Sequence, residues 1–226
     1  MPPRALSPSG LFLIDKPEGP SSFAVVADVR RRTGARTGHA GTLDPFASGL
    51  LLVLSGAATK LASCFVGLDK RYVTDIDLRA RTSTGDREGA VTDSQAAPSA
   101  GALEEALATL RGEIELPVPA ASAVKIGGER AYRLHRRGIA VEMPLRRSRV
   151  DALDVISYSD GVVRLELSVS SGTYVRAIAD SLGGHCAALR RTAVGPFEVA
   201  DAHPSRLIPP DEALARIGVG SEEAAR

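Results

Sequence analysis

Apolar positions along the chain follow two rhythms. Leu11–Ile14 and Leu50–Leu54 are short unbroken apolar runs, which predict buried strands. Tyr72, Thr74, Ile76 and Leu78 lie on one side of an alternating segment that starts at Lys70. Val163, Leu165, Leu167 and Val169 do the same within Val162–Val169. A period of two predicts strands with one face inward. Helical spacing appears in four places. The first is capped by Ser21 or Ser22 and runs to about Arg32, with Phe23, Val26 and Ala27 inward and Gly34 as its stop. The second is Ala57 to Phe65, with Leu61, Cys64 and Phe65 inward. The third is Leu103 to Arg111, with Leu103, Ala106, Leu107 and Leu110 on one face and Gly112 after it. The fourth follows Ser170-Ser171-Gly172-Thr173-Tyr174 and carries Val175, Ile178, Ala179 and Leu182 at core spacing. Met1 to Gly10 reads as a loose Pro/Ser-rich start, Asp15 to Pro20 as a turn, and Arg81–Gly89 and Gln95–Ala100 as loops. Leu207 to Arg226 reads as a proline-containing linker with a short alanine-rich tail.

Composition adds bounds. The 226 residues are 44% hydrophobic and 24% charged, enough for one large domain with a packed core. Net charge is only +1, but between Pro119 and Val150 eight basic residues face two acidic ones. Such a segment either meets phosphates or forms a solvated face. Cys64 and Cys186 lack metal-ligand spacing and are expected to be reduced, in a cytoplasmic setting. No apolar run approaches the roughly 20 residues of a membrane helix. No His/Cys cluster predicts a metal, and no glycine-rich phosphate loop predicts a nucleotide cofactor.

The candidate chemistry centres on Gly38-His39-Ala40-Gly41-Thr42-Leu43-Asp44-Pro45-Phe46-Ala47-Ser48-Gly49-Leu50. Three glycines permit tight turns and close approach, and Pro45 stiffens the chain just after Asp44. A lone Asp-Pro is an ordinary turn; here the carboxylate sits on a stiffened loop at the edge of a core. The stretch resembles the G-H-x-G-x-L-D-P-x-A-x-G-x-L signature of the TruB family of tRNA pseudouridine synthases. Further segments resemble the same family in the same order. They are Lys16-Pro17-Glu18-Gly19 after a strand, Lys70-Arg71-Tyr72, Ser122-Ala123-Val124-Lys125 with Gly128-Glu129-Arg130-Ala131-Tyr132, Ser170-Ser171-Gly172-Thr173-Tyr174-Val175-Arg176, and Leu189-Arg190-Arg191 with Gly195-Pro196-Phe197. Ala121 stands where the family often has an aromatic residue, and Glu115 to Pro119 replaces its Gln-x-Pro-Pro lead-in.

The resemblance implies an α+β pseudouridine synthase fold, a mixed, largely antiparallel sheet with flanking helices and a central RNA cleft. It implies a catalytic domain over residues 1–200, a basic RNA-gripping insertion over 119–150, and a tail over 201–226 that is short for the family. It implies isomerisation of uridine to pseudouridine at position 55 of the tRNA T loop, by a cytoplasmic monomer without metal or cofactor. Asp44 takes the catalytic role and Tyr72 lies against the target base. Tyr174 closes the pocket, Arg176 holds the aspartate, and Leu189 forms a wall. His39 fills the vacated space or meets RNA, and Lys16 serves packing or charge near the site. Arg176 pairing with Asp180 at i, i+4 is the plain alternative. Three other readings stay open: a synthase for a different RNA, an RNA-binding or folding protein whose chemistry is secondary, and a hydrolase built on Asp44 and His39.

Overall fold

The computed structural model of the protein describes residues 8–220. The loose start read for Met1 to Gly10 lies mostly outside them, as does the end of the tail. In chain order the strands are β1 (Gly10–Lys16), β2 (Thr37–His39), β3 (Ser48–Ser55), β4 (Lys70–Asp77), β5 (Ala80–Thr82), β6 (Val91–Ser94) and β7 (Gly112–Pro117). They continue as β8 (Lys125–Ile126), β9 (Glu129–Arg130), β10 (Leu145–Ser159), β11 (Val162–Val169), β12 (His185–Val194), β13 (Phe197–Glu198) and β14 (Leu207–Ile208). The helices are α1 (Ser22–Thr33), α2 (Ala62–Val66), α3 (Ala100–Ala108), α4 (Ala131–Arg136), α5 (Val175–Ser181) and α6 (Pro210–Arg216). The described residues form two compact units, one of residues 8–71 and 190–220, the other of residues 72–189. Both crossing points lie inside strands, β4 and β12.

In the first unit the order is β14-β1-β3-β12, with β2 on β3 and β13 on β12. β1 and β3 are antiparallel from Gly10↔Ser55 to Lys16↔Gly49. β12 runs parallel to β3, with Arg190 opposite Ser48 and Arg191 opposite Gly49. The unbroken apolar run of β3 follows from burial on both faces. Leu50, Leu52 and Leu54 join Leu11, Leu13, Phe65 and Phe197 on one side, whereas Leu51 and Val53 join Phe12, Ile14, Val26 and Val29 on the other. Segment 207–216 is part of this core: β14 pairs with β1, and Ala213 and Leu214 of α6 pack beneath. It is structured where a linker was expected.

α1 begins as expected, with the Ser21 hydroxyl accepting from the Ala24 amide, and ends at Gly34 in the left-handed region. Its buried stripe is Ser22, Val26 and Val29; Phe23 and Ala27 face outward, contrary to expectation. The reason is local. The Ser22 hydroxyl is drawn inward by the backbone of Leu43, donating to its carbonyl at 2.8 Å and accepting from its amide at 2.9 Å. That rotates the helix so Phe23 turns away. The segment expected as one helix over 57–65 is a 3-10 stretch, Gly56–Leu61, followed by α2.

The second unit carries β4-β11-β10-β7, with the first half of β12 beside β4. Val163, Leu165, Leu167 and Val169 of β11 are fully buried. β10 pairs with β11 from Val150 to Ser159 through two bulges, and with β7 through Leu145–Val150. α3 starts at Ala100, three residues before its expected start, because Ser99 caps it by accepting from the Ala102 amide. Asp180 pairs with Arg81 at 2.6 Å, so the i, i+4 alternative for Arg176 is not the observed arrangement.

Candidate active site

The first unit presents the Asp44 loop as a rigid ledge. Gly41 (φ 94°) and Gly49 (φ 105°) adopt left-handed backbone at its two ends. At Gly49 a Cβ would lie 2.2 Å from the Arg191 carbonyl oxygen, so no side chain fits where β3 meets β12. Between them the Ala47 amide donates to the Asp44 carbonyl at 3.2 Å, closing a turn around Pro45. Three tethers fix this turn. Ser22 holds both backbone groups of Leu43, as described. The Gly19 amide donates to the Pro45 carbonyl at 2.8 Å. Lys16, fully buried, donates from Nζ to the carbonyls of Pro17 (2.8 Å), Pro20 (2.9 Å) and Pro45 (3.3 Å). Lys16 thus joins the Lys16–Pro20 turn to the loop. Asp44 itself is half-buried, on a ledge whose backbone cannot drift.

Arg191 lies under the same loop and was missed as a site residue. It is 1% exposed. Its guanidinium donates from Nε to the Leu50 carbonyl (2.7 Å) and from the two terminal nitrogens to the carbonyls of Gly41 (3.1 Å) and Thr42 (3.4 Å). No carboxylate pairs with it among the described residues. Its charge is felt nearby. His39, half-buried, is held below the ordinary imidazole pKa first by burial and then by Arg191, so its ring is neutral at pH 7. Lys70, buried and donating to the carbonyls of Val66 and Leu68, is lowered to about 8, again first by burial and then by Arg191. The Phe23 ring meets His39 edge to face at 5.4 Å between centroids.

The second unit gathers the other expected residues. Tyr72 is buried at the head of the inward face of β4, and Leu189 is buried on β12 beside it. The strands are tied at Thr74, whose hydroxyl donates to the Ala188 carbonyl at 2.8 Å. Tyr174 stands, half-buried, at the N-cap of α5. Arg176, 4% exposed, donates to the carbonyls of Thr84 (2.6 Å) and Ala121 (3.1 Å) and lies 3.5 Å from Asp86. Asp86, also buried, accepts from the Thr84 hydroxyl (2.7 Å) and the Glu88 amide (3.0 Å). The 81–89 segment, read only as a loop, is therefore a collar around Arg176, and Asp86 is the second residue missed. Its Thr-Gly-Asp turn was the available signal: Gly85 is left-handed and packs on the Arg176 backbone.

All eight basic residues of the 119–150 segment are exposed. Arg133 and Arg136 bracket the Tyr132 ring at 5.9 and 5.6 Å. A Cβ on Gly172 would collide with the Arg146 guanidinium, so the glycine of the Ser170–Arg176 motif makes room for a basic side chain. Exposed guanidiniums around a ring suit a polyanion with stackable bases. Among the described residues no cluster of three or more His, Cys, Asp or Glu side chains could hold a metal ion, and no helix is long and apolar enough to cross a membrane.

The fold is that of the pseudouridine synthases. Among solved structures the chain is similar to one in a Cbf5-Nop10-Gar1 complex, with a TM-score of 0.65 and 28% identity over 84% of this chain; it spans about half (50%) of that one. The model of the TruB family pseudouridylate synthase N-terminal domain matches residues 30–175. A tRNA pseudouridine synthase B of Mycobacterium sp. (strain KMS) is 44% identical over 210 residues, covering 86% of this chain and 70% of the relative. One from Leifsonia xyli subsp. xyli is 45% identical over 222 residues, covering 91% and 74%. The chain belongs to the TruB family of pseudouridylate synthases.

Proposed function

We propose that this protein isomerises uridine to pseudouridine in tRNA, at position 55 of the T loop, as a cytoplasmic monomer, with Asp44 as the catalytic carboxylate. The observation that carries the reading is the Asp44 loop: a half-buried carboxylate on a turn tethered by Lys16, Ser22 and Arg191, within the family signature. The reaction breaks the N1–C1′ bond and joins C1′ to C5 of the same base, and it needs an ionised carboxylate as nucleophile or base. A tethered turn supplies the orientation such a step demands. The base must leave its stack, at a few kcal/mol. Tyr72, proposed to lie against it, returns about 1–3 kcal/mol through stacking. Tyr174, Arg176 and Leu189 are proposed to meet the same nucleotide, and the exposed arginines of 119–150 the phosphates.

The test is incubation of the purified protein with an unmodified T-loop stem-loop RNA, followed by mapping of pseudouridine at base resolution. One modified uridine is expected, absent with Asp44→Asn. Unchanged conversion by that variant would remove Asp44 from the role. Modification confined to other RNAs would overturn the T-loop target.

A further inference from the structure

We propose that Phe23 is a substrate-contacting residue, forming with His39 an aromatic platform that stacks on an unpaired base of the RNA loop beside the target nucleotide. This rests on the reading of the protein as an RNA-modifying synthase. Phe23 is 73% exposed at the first turn of α1, the most exposed of the large hydrophobic residues described. A bare phenylalanine gains nothing from that position in the free protein, since water surrounds most of its ring. Among the described residues its aromatic neighbour is His39, edge to face at 5.4 Å. Burial and the Arg191 charge keep His39 neutral, so the pair presents two uncharged rings at pH 7.

The position of the pair is fixed relative to Asp44. Ser22, the residue next to Phe23, is buried and clamps both backbone groups of Leu43, the residue next to Asp44. His39 is carried on β2, which pairs with β3 at His39↔Val53, and the Ala40 amide donates to the Leu52 carbonyl. Both rings therefore stand on the ledge that bears the carboxylate, within one compact unit. The occupant that suits them is a nucleobase: it is flat, it is exposed when a loop base leaves its stack, and it arrives with the nucleotide on which Asp44 is proposed to act.

The experiment is a double-mutant cycle on binding. Affinity is measured by fluorescence anisotropy for a labelled T-loop stem-loop and for versions carrying an abasic site at each loop position in turn, in an Asp44→Asn background to prevent turnover. Phe23→Leu and Phe23→Tyr are compared with Phe23. One abasic position is expected to weaken binding about 5-fold or more with Phe23 and Tyr, and to have no effect with Leu. In the Asp44-intact protein, Phe23→Leu raises KM by a similar factor with kcat held, and the unfolding midpoint stays. The proposal is overturned if Leu binds every RNA as Phe does, if its penalty persists equally at all abasic sites, or if it changes only the oligomeric state. Because the cycle reads binding, it decides the Phe23 role even where no pseudouridine forms, an outcome that would instead sink the proposed function.

Discussion

Replacing Arg191 with methionine tests whether the Asp44 loop depends on a buried positive charge. Methionine keeps length and apolar volume but donates nothing. The variant strands the Leu50 and Gly41 carbonyls, which now accept at 2.7 and 3.1 Å; the 3.4 Å contact to Thr42 counts for little. Hydrogen bonds to a charged donor are worth about 1.5–3 kcal/mol each, so the gross loss is about 3–6 kcal/mol. Against this stands the relief of burying a guanidinium without a carboxylate. Part of that relief is visible at Lys70. Its drop from 10.5 to about 8 corresponds to about 3 kcal/mol, of which Arg191 supplies the smaller share after burial. Less than half of that is recovered, which leaves a net destabilisation of about 2–4 kcal/mol.

Two measurements check this. Urea unfolding should show the loss as a lowered midpoint. Histidine NMR titration should show the His39 pKa rising toward, but not reaching, the ordinary imidazole value, because burial remains when the Arg191 charge is gone. With the loop no longer tied at Gly41 and Thr42, kcat should fall more than KM rises. An unchanged midpoint within about 0.5 kcal/mol, or an unmoved His39 titration, would refute the assignment of Arg191 as the support of the loop.

Lys70 makes stability depend on alkaline pH. Its folded-state pKa lies below the unfolded value, so the unfolded chain binds more protons between about 8 and 10.5 and stability rises across that window. The contribution is full above 10.5 and is lost as pH falls through about 8; urea midpoints from pH 7 to 10 should climb, and Lys70→Met should flatten the climb. Asp86→Asn keeps the shape of the collar but removes the carboxylate that lies 3.5 Å from the buried Arg176 guanidinium. A loss of about 3 kcal/mol is expected in thermal or urea unfolding, whereas a variant as stable as the parent would show that Asp86 does not support Arg176.

The parts legible in the sequence were those whose cause lies in side-chain pattern or local backbone chemistry. β1 and β3 showed as unbroken apolar runs because both faces are covered, and β4 and β11 alternated because one face is. Ser21 and Gly34 marked the ends of α1 through capping and left-handed backbone, which are properties of those residues alone. β10 stayed hidden although it has 15 residues. Two bulges break its period, and the exposed Arg146, Arg147 and Arg149 read as a basic patch. α1 showed the limit most clearly. Apolar spacing pointed Phe23 and Ala27 inward, yet the face was chosen by a serine, because Ser22 found two backbone partners on Leu43.

Arg191 escaped for a physical reason. A guanidinium can be buried by carbonyls, and every residue carries a carbonyl, so nothing in the letters of 41, 42 and 50 announces that role. Asp44 was conspicuous because its neighbours are unusual: three glycines, a histidine and a proline within one loop. Its supports were not, because they act through backbone. Lys16, Ser22, Gly19 and Arg191 all hold the loop by its amides and carbonyls rather than by side-chain pairing. Away from Gly41 and Gly49, changing side chains within the loop therefore leaves its tethers in place, whereas removing a tether moves the carboxylate. On that logic the Asp44 loop is more exposed to damage from Lys16, Ser22 and Arg191, outside the loop itself, than from most substitutions within it.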